Sequence, residues 1–306
     1  MPPPLCVIVN PAAARRRAGG RLRRVRQLLS TCADFRTTCA PGHAEMLARN
    51  AAHAGYATVV AAGGDGTVHE VANGLLSAGP TSACFGVIPL GSGNDYAAGL
   101  GLPADVRRFC EQLVHGPARA VDVGAVRDAH GRSRYFVNTL GTGLSGAVCY
   151  EARRISGLSG LALYGLAALR AICRHFTASD TVLTIDGADR ATPTVFLAVA
   201  LGPREGGGFV VAPDARLDDG WFDYLHAGRL TRWRALWYLP RLAAGRLPAN
   251  DPAVSYGRCR RVSVRSAAPL IVHTDGELFA RPEDKVRSLD IELLPGRLSV
   301  RGSGPG

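Results

Sequence analysis

The run Val59-Val60-Ala61-Ala62-Gly63-Gly64-Asp65-Gly66-Thr67 carries residue types that could do chemistry at a strand-to-helix junction. Four apolar residues read as a buried strand, and the pattern Val68, Val71, Leu75 reads as a helix. Glycines at such a junction let backbone approach a ligand closely and take up positive φ without penalty. Free N–H groups at the helix start favour an anion, so Gly63, Gly64, Gly66 and Thr67 form a candidate phosphate cradle. The ordinary alternative is a tight turn with Thr67 as a helix cap. Asp65 decides between them, because a carboxylate beside phosphates repels them unless a metal or a proton transfer is involved.

Two further loops have the same character. The strand Leu5–Val9 closes in Asn10-Pro11, and Phe85–Pro89 runs into Leu90-Gly91-Ser92-Gly93-Asn94-Asp95. Between them the pattern gives a basic helical segment from Arg15 to Leu29, a weaker strand at Phe35–Thr38, a helix from His43 to about Ala54 and another from Thr67 to Ser77. Strands alternating with helices imply a parallel sheet with right-handed crossovers. Ligands of open α/β sheets bind beyond the carboxyl ends of strands, so three such loops on neighbouring strands would converge on one site.

After Val121-Asp122-Val123-Gly124 the texture changes to short β-rich runs at Tyr135–Thr139, Val182–Ile185, Val195–Leu201, Val262–Val264 and Leu270–His273. Helical insertions are expected near 153–176 and 229–245. The predicted organisation is an α/β domain over 1–121, a β-rich antiparallel domain over 122–290, and a final strand and tail over 291–306 that could return to the first domain.

Composition narrows the partners. With 306 residues, 47% hydrophobic and 20% charged, the chain reads as globular and long enough for two domains. A net charge of +11 favours an anionic partner: nucleotide, nucleic acid or anionic lipid surface. Lys285 is the only lysine, which excludes a P-loop and a kinase strand lysine, so phosphate binding must rest on amides, arginine and metal. The eight cysteines show no zinc-like spacing and are expected to be buried thiols in a reducing cytoplasm. The Met-Pro-Pro-Pro start lacks a secretory pattern, and no apolar run reaches the roughly 20 residues of a membrane span.

These motifs resemble the lipid kinase family that includes soluble bacterial diacylglycerol kinases and, more distantly, sphingosine kinases. The likeness rests on Val7-Ile8-Val9-Asn10-Pro11, on Gly63 to Thr67 with Glu70 and Asn73, on Pro89 to Tyr96 followed by Leu100-Gly101-Leu102-Pro103, on Gly206-Gly207-Gly208 leading to Pro213 through Gly220, and on Asp275-Gly276-Glu277. It implies a Rossmann-like, largely parallel N-terminal sheet and an antiparallel sandwich or barrel behind it. It further implies ATP and Mg2+ between the two domains, with Asn10, Pro11, Arg15, Thr38, Glu70, Gly91, Ser92, Asn94 and Asp95 joining the glycine cradle as nucleotide contacts. Four positions depart from the family pattern: Ala14-Arg15 for Gly-Lys, Ala98 for an arginine, and Ser145 for an aspartate.

An alcohol acceptor needs a base, since its hydroxyl barely ionises at neutral pH. Glu277 and Asp65 are both candidates. The resemblance favours the Asp275-Gly276-Glu277 site, with Asp65 orienting magnesium or the lipid hydroxyl, against the plain reading of Asp-Gly as a hairpin turn. The resemblance also implies a structural magnesium on Asp219 and the carbonyls of Arg216 and Trp221. The expected reaction is transfer of the γ-phosphoryl group of ATP to a lipid hydroxyl, diacylglycerol giving phosphatidic acid.

Two rivals stay open: an NAD kinase-like phosphotransferase, which shares the first signature, and a non-catalytic lipid- or nucleotide-binding regulator. A nucleic-acid partner is not expected, because no reader motif is present; a homodimer is left open. A cytoplasmic enzyme acting on lipid must reach a membrane. The arginines and tryptophans between Arg229 and Arg241 suit anionic headgroups, although an ordinary amphipathic helix would look similar. The stripe Ile155, Leu158, Leu161, Leu169, Ile172 could border an acyl chain or form core.

Overall fold

A computed structural model describes residues 4–14, 19–246 and 251–302. Its contacts divide the chain into two units, Met1–Val121 with Gly296–Gly306, and Asp122–Pro295.

The first unit alternates β1 (Leu5–Val9), α1 (Pro11–Ala14), α2 (Gly19–Leu28), β2 (Ala33–Thr37), α3 (His43–His53), β3 (Thr58–Gly63), α4 (Asp65–Ser77), β4 (Cys84–Pro89), α5 (Asp95–Gly99) and α6 (Val106–His115). The strands lie in the order β2-β1-β3-β4, all parallel. β1 and β3 are central, and every residue of both is buried, which is why they read as unbroken apolar runs. β2 is the edge strand and keeps a half-exposed, polar character. Val25 and Leu29 after α2, with Phe109 and Leu113 of α6, cover Leu5, Val7, Val9 and Val60 in one core. α3 and α4 pack closely enough that a Cβ on Gly74 would strike the Glu45 carbonyl.

The second unit contains β5 (Arg119–Asp128), which begins in the first, then β6 (Ser133–Phe136), β7 (Thr139–Gly143), α7 (Leu144–Ala152), α8 (Gly160–Arg174), β8 (Ser179–Ile185), β9 (Ala188–Thr194), β10 (Phe196–Ala200), β11 (Arg204–Glu205) and β12 (Phe209–Val210). It continues through β13 (Phe222–Ala227), α9 (Arg232–Ala243), β14 (Val254–Cys259), β15 (Arg261–Ser266), β16 (Val272–Thr274), β17 (Glu277–Ala280) and β18 (Ser288–Val300). One antiparallel sheet has the order β14-β13-β10-β7-β16-β17; the other carries β18-β15-β8-β9, with β5 pairing β18 and β6. The last residue of β18, Val300, pairs in parallel with Phe85 of β4 in the first unit's sheet.

Two local readings are corrected. Tyr135–Thr139 is not one strand: β6 ends at Phe136 and β7 starts at Thr139, because the amides of Val137, Asn138 and Thr139 all turn to Asp275. The helix α7 was not anticipated, since Gly143, Ser145 and Gly146 are weak helix formers. Gly146 is there for packing: a Cβ would collide with the Ile271 carbonyl. Not all cysteines are buried either, because Cys39 and Cys173 are exposed, although all eight are free thiols.

His226 in β13 is buried between Thr194 Oγ1, 3.0 Å from Nε2, and Ser255 Oγ, 3.5 Å from Nδ1. Burial, helped by the charge of Arg190, pushes its pKa down to about 4. An unfolded chain takes up this proton below about pH 6.5 while the native one refuses it, so stability falls as pH drops through that window. The loss is about 2 kcal/mol between neutral pH and about pH 5. Urea unfolding should show that slope in the wild type and a flatter one in His226→Gln; equal slopes would refute it.

Candidate active site

In the first unit, the loops after β1, β3 and β4 lie side by side at the carboxyl ends of neighbouring parallel strands. Asn10 Nδ2 donates to Thr67 Oγ1 at 3.0 Å, and its Oδ1 accepts from the Ala12 amide at 3.0 Å, joining the first loop to the second. Thr38, after β2, is tied to β1 through its amide and the Val9 carbonyl at 2.9 Å. Thr67 is buried under Gly63, where a Cβ would collide with its side chain. A Cβ on Gly91 would stand 2.5 Å from the Gly64 Cα, so these two loops meet backbone against backbone.

Gly63, Gly64, Gly66, Gly91 and Gly93 do not adopt positive φ; Asn94 does, at 57°. Gly63, Gly64 and Gly91 therefore serve close approach, and the left-handed conformation expected of glycine is taken by Asn94 instead, a residue type that tolerates it. Asn94 closes its own loop, with Oδ1 accepting from the Gly91 amide at 3.0 Å and Nδ2 donating to the Gly91 carbonyl at 2.8 Å. Asp65 accepts from the backbone amides of Asn94 at 2.8 Å and Tyr96 at 3.4 Å. The carboxylate that looked out of place beside phosphate holds the third loop against the second. Asp95 is buried and Ser92 exposed.

Glu70, expected as a nucleotide contact, is engaged with backbone amides in this structure. Its two oxygens accept the amides of Gly42 and Ala44, at 2.8 and 3.0 Å, and so cap α3, whose own N-cap glycine has no side chain to offer. Pro11 opens α1. Arg15 lies outside the described residues.

In the second unit Asp275 and Gly276 form the two-residue turn between β16 and β17, with φ of 52° and 80°. That pair of left-handed residues is what a tight hairpin demands. Asp275 anchors this turn. Its carboxylate, buried, accepts from the amides of Val137, Asn138 and Thr139 at 3.1, 2.8 and 3.1 Å. Glu277 follows immediately, half exposed, in an ion pair with Arg153 just after α7. Of the carboxylates in this motif, Glu277 is the one with solvent access. Nothing in the sequence advertises Arg153, which stands 124 positions away.

Beneath this turn lies a buried cluster that sequence reading did not assemble. The Gly276 amide donates to His273 Nδ1 at 3.3 Å, so Nε2 carries the proton toward Ser145 Oγ at 2.8 Å, and Ser145 donates to Glu205 Oε1 at 3.0 Å. This order runs opposite to a hydrolytic triad, in which the imidazole takes the hydroxyl proton. The cluster braces the hairpin, and Ser145, where the family pattern has an aspartate, is its central hydroxyl.

At the expected metal site, Asp219 Oδ1 accepts from the Trp221 amide at 3.2 Å and Oδ2 is ion-paired with Arg258. Arg258 and Arg260 lie 5.6 and 4.4 Å from the centre of the Trp221 ring. Arg216 approaches Asp218 at 3.9 Å. Asp223 Oδ2 is buried without a hydrogen-bond partner. Burial pushes that carboxyl's pKa up; Arg258 opposes the rise, and Asp219 and Asp214 add to it. Hard oxygens with surplus negative charge fit a divalent cation such as magnesium, in competition with Arg258 for Asp219. Among the described residues no three His, Cys, Asp or Glu side chains form a ready metal cage.

The diacylglycerol kinase catalytic domain model matches residues 4–126, and the YegS C-terminal NAD kinase beta sandwich-like domain model matches residues 138–302. The chain is 33% identical over 267 residues to a probable lipid kinase YegS-like from Chromohalobacter salexigens, covering 86% of this chain and 81% of that one. The chain belongs to the diacylglycerol kinase family. A diacylglycerol kinase from Bacillus subtilis is 30% identical over 282 residues, covering 89% and 88%. The fold of this kinase is also that of a solved putative diacylglycerol kinase from Bacillus anthracis, with a TM-score of 0.76 at 22% identity over 98% and 97% of the two chains. The chain is thus a lipid kinase with an α/β first unit and an antiparallel sandwich second unit.

Because the Gly64–Gly91 approach is backbone to backbone, Gly91→Ala forces the two loops apart. Overpacking of this kind costs about 1–3 kcal/mol. A lowered Tm together with weakened ATP binding by calorimetry is expected. Ser92→Ala, at an exposed neighbour, should leave Tm unchanged. Full ATP affinity in the Gly91 variant would show that the loop contact does not shape the nucleotide site.

Proposed function

We propose that this lipid kinase transfers the γ-phosphoryl group of ATP to a lipid hydroxyl, with diacylglycerol as acceptor and phosphatidic acid as product. The observation that carries the reading is the clamp of two glycine loops, fastened by Asp65, at the carboxyl ends of β3 and β4. The first turn of α4 offers backbone N–H groups to a triphosphate, and Asn10 and Thr67 fix the loop that presents them. Glu277 is the base: the acceptor oxygen bonds to the γ-phosphorus as its proton passes to the Glu277 carboxylate, and the bond to the bridging oxygen breaks to release ADP. Arg153 pairs with that carboxylate and orients it between turnovers. Magnesium, when bound, offsets charge on the phosphates. Asp219, with the carbonyls of Arg216 and Trp221, holds a second, structural ion. The lipid acceptor is met at an anionic membrane surface, in keeping with the chain's positive charge.

The sandwich unit's likeness to NAD kinase supports a second reading, in which the acceptor is a ribose hydroxyl of NAD. Phosphorylation from labelled ATP of a panel holding diacylglycerol, a sphingoid base, extracted membrane lipids and NAD separates the two. Label in phosphatidic acid is expected, and label in NAD alone would overturn the lipid assignment. Glu277→Gln should lower kcat by about 10²–10⁴ while the KM for ATP holds; an unaffected kcat would remove Glu277 as the base.

The structural ion is tested without turnover. Magnesium should raise the Tm of the wild type through preferential binding to the native state, and Asp219→Ala should abolish the rise. A rise that survives that substitution would place the ion elsewhere.

A further inference from the structure

Among the described residues, exposed large apolar side chains concentrate in one region. Six large hydrophobic side chains are exposed among the described residues, and all but Met46 belong to α8, α9 or the turn before α8. Leu158 is 43% exposed, Leu161 and Leu169 46%, Trp237 53% and Trp233 81%. They are ordered. On α8, Leu161, Gly165, Leu169 and Cys173 fall at intervals of four, with Leu161, Leu169 and Cys173 exposed beside a face that buries Ala167, Ala168, Ala171 and Ile172. On α9, Trp233, Trp237 and Pro240 line the side away from buried Ala235 and Tyr238. The two helices pack on each other. Single exposed apolar residues are ordinary; a contiguous set of this size marks an interaction surface.

Charge names the occupant. No Asp or Glu occurs from Ala152 to Ser179, which holds four arginines, or from Tyr224 to Asn250, which holds five. Arg153, Arg154, Arg174 and Arg234 pair with Glu277, Glu151 and Asp251 outside these stretches, so the headgroup contacts fall to Arg170, Arg229, Arg232, Arg241 and Arg246. Arg229 and Arg232 are exposed. Arg241 lies over the Trp237 ring, 3.1 Å from its centre, and donates to the Trp237 carbonyl, so a cation is fixed directly beside an exposed indole. Indole rings bury at headgroup depth while neighbouring guanidinium groups meet phosphate, and Trp with Arg is the combination that interfacial helices use. A soluble acidic partner would account for the arginines but not for the leucine line, and a second copy of the same cationic face would be repelled.

We propose that the exposed faces of α8 and α9 form one docking surface for an anionic phospholipid bilayer, with Trp233, Trp237, Leu158, Leu161 and Leu169 entering the interface and the arginines contacting headgroup phosphates. The proposal gives the lipid kinase reading a specific membrane-facing surface and rests on that reading only for its purpose, not for its observations. None of the inserted side chains belongs to the candidate active site.

The test is co-sedimentation with vesicles of phosphatidylglycerol and phosphatidylcholine, against vesicles of phosphatidylcholine alone. The wild type should bind the anionic vesicles, lose binding as salt rises, and show a blue shift of tryptophan emission. The double variant Trp233→Ala/Trp237→Ala should bind at least tenfold more weakly. Arg229→Gln and Arg232→Gln should each weaken binding about fivefold, the factor equivalent to about 1 kcal/mol per basic residue near such a surface. All four are solvent-exposed, so an unchanged Tm serves as the folding control. Undiminished binding by the double variant, or equal binding to both vesicle types, overturns the proposal. So does a wild-type dimer that the tryptophan substitutions dissociate in sedimentation equilibrium. Activity on a short-chain, water-soluble diacylglycerol separates the two readings: the double variant should retain it while losing activity on vesicles. A wild type inactive on every lipid would defeat the kinase reading and leave the vesicle result to stand or fall alone.

Discussion

The hydrogen bonds from the Asn94 and Tyr96 amides to the Asp65 carboxylate are the constraint on which the first unit's chemistry turns. Two glycine loops that touch at Gly64 and Gly91 have no side chains with which to hold each other. Dispersion between bare backbones is weak, and the amides at the start of α5 need an acceptor. One charged side chain at the start of α4 supplies it and locks the second loop to the third. Asn94, in the left-handed region, then returns both ends of its amide to Gly91 and stiffens the loop from within. The three loops are thereby fixed to one another by hydrogen bonds, and preorganised donors are what electrostatic stabilisation of a transferring phosphoryl group requires.

The same device recurs through the chain. Glu70 caps α3 across the space between two helices, and Asp275 gathers three consecutive amides of the 137–139 segment. Asp122 accepts from Gly220 at 2.7 Å and so steadies the 216–221 loop. In each case a carboxylate satisfies backbone donors at a break in regular structure, where an orphaned N–H would cost more than the charge does. Hydrogen bonds to charged groups contribute roughly 1.5–3 kcal/mol, about twice a neutral one, which suits them to hold loops that glycine leaves soft.

The strands were legible because burial on both faces leaves an unbroken apolar run, as in Leu5–Val9 and Thr58–Gly63. The two-unit architecture was legible because the period changes from alternating strand and helix to short strands near Val121. The glycine loops stood out in the sequence because Gly-Gly is costly wherever close approach is not needed. What stayed hidden was pairing over long separations. Arg153 with Glu277, Arg258 with Asp219, and Ser145 between His273 and Glu205 join residues 39 or more positions apart, and no local pattern encodes such partners. Helix α7 was hidden because its small residues serve packing against Ile271 at the expense of helix propensity.

The acidic residues show most clearly where sequence reading stops. From type and position alone, Asp65, Glu70, Asp275 and Glu277 were equal members of a chemical inventory. A base, however, needs a lone pair that can reach the substrate, and backbone donors consume lone pairs. Asp275 spends its oxygens on three amides, Glu70 on two, and Asp65 on the loop it fastens. Glu277 is engaged by the half-exposed guanidinium of Arg153, a side chain that can swing away without breaking any secondary structure. Availability rather than acidity is therefore what supports Glu277 as the proposed base. The hairpin explains how that availability is kept: Asp275 is buried so that Glu277, two residues on, is held at the surface by a turn that cannot slip.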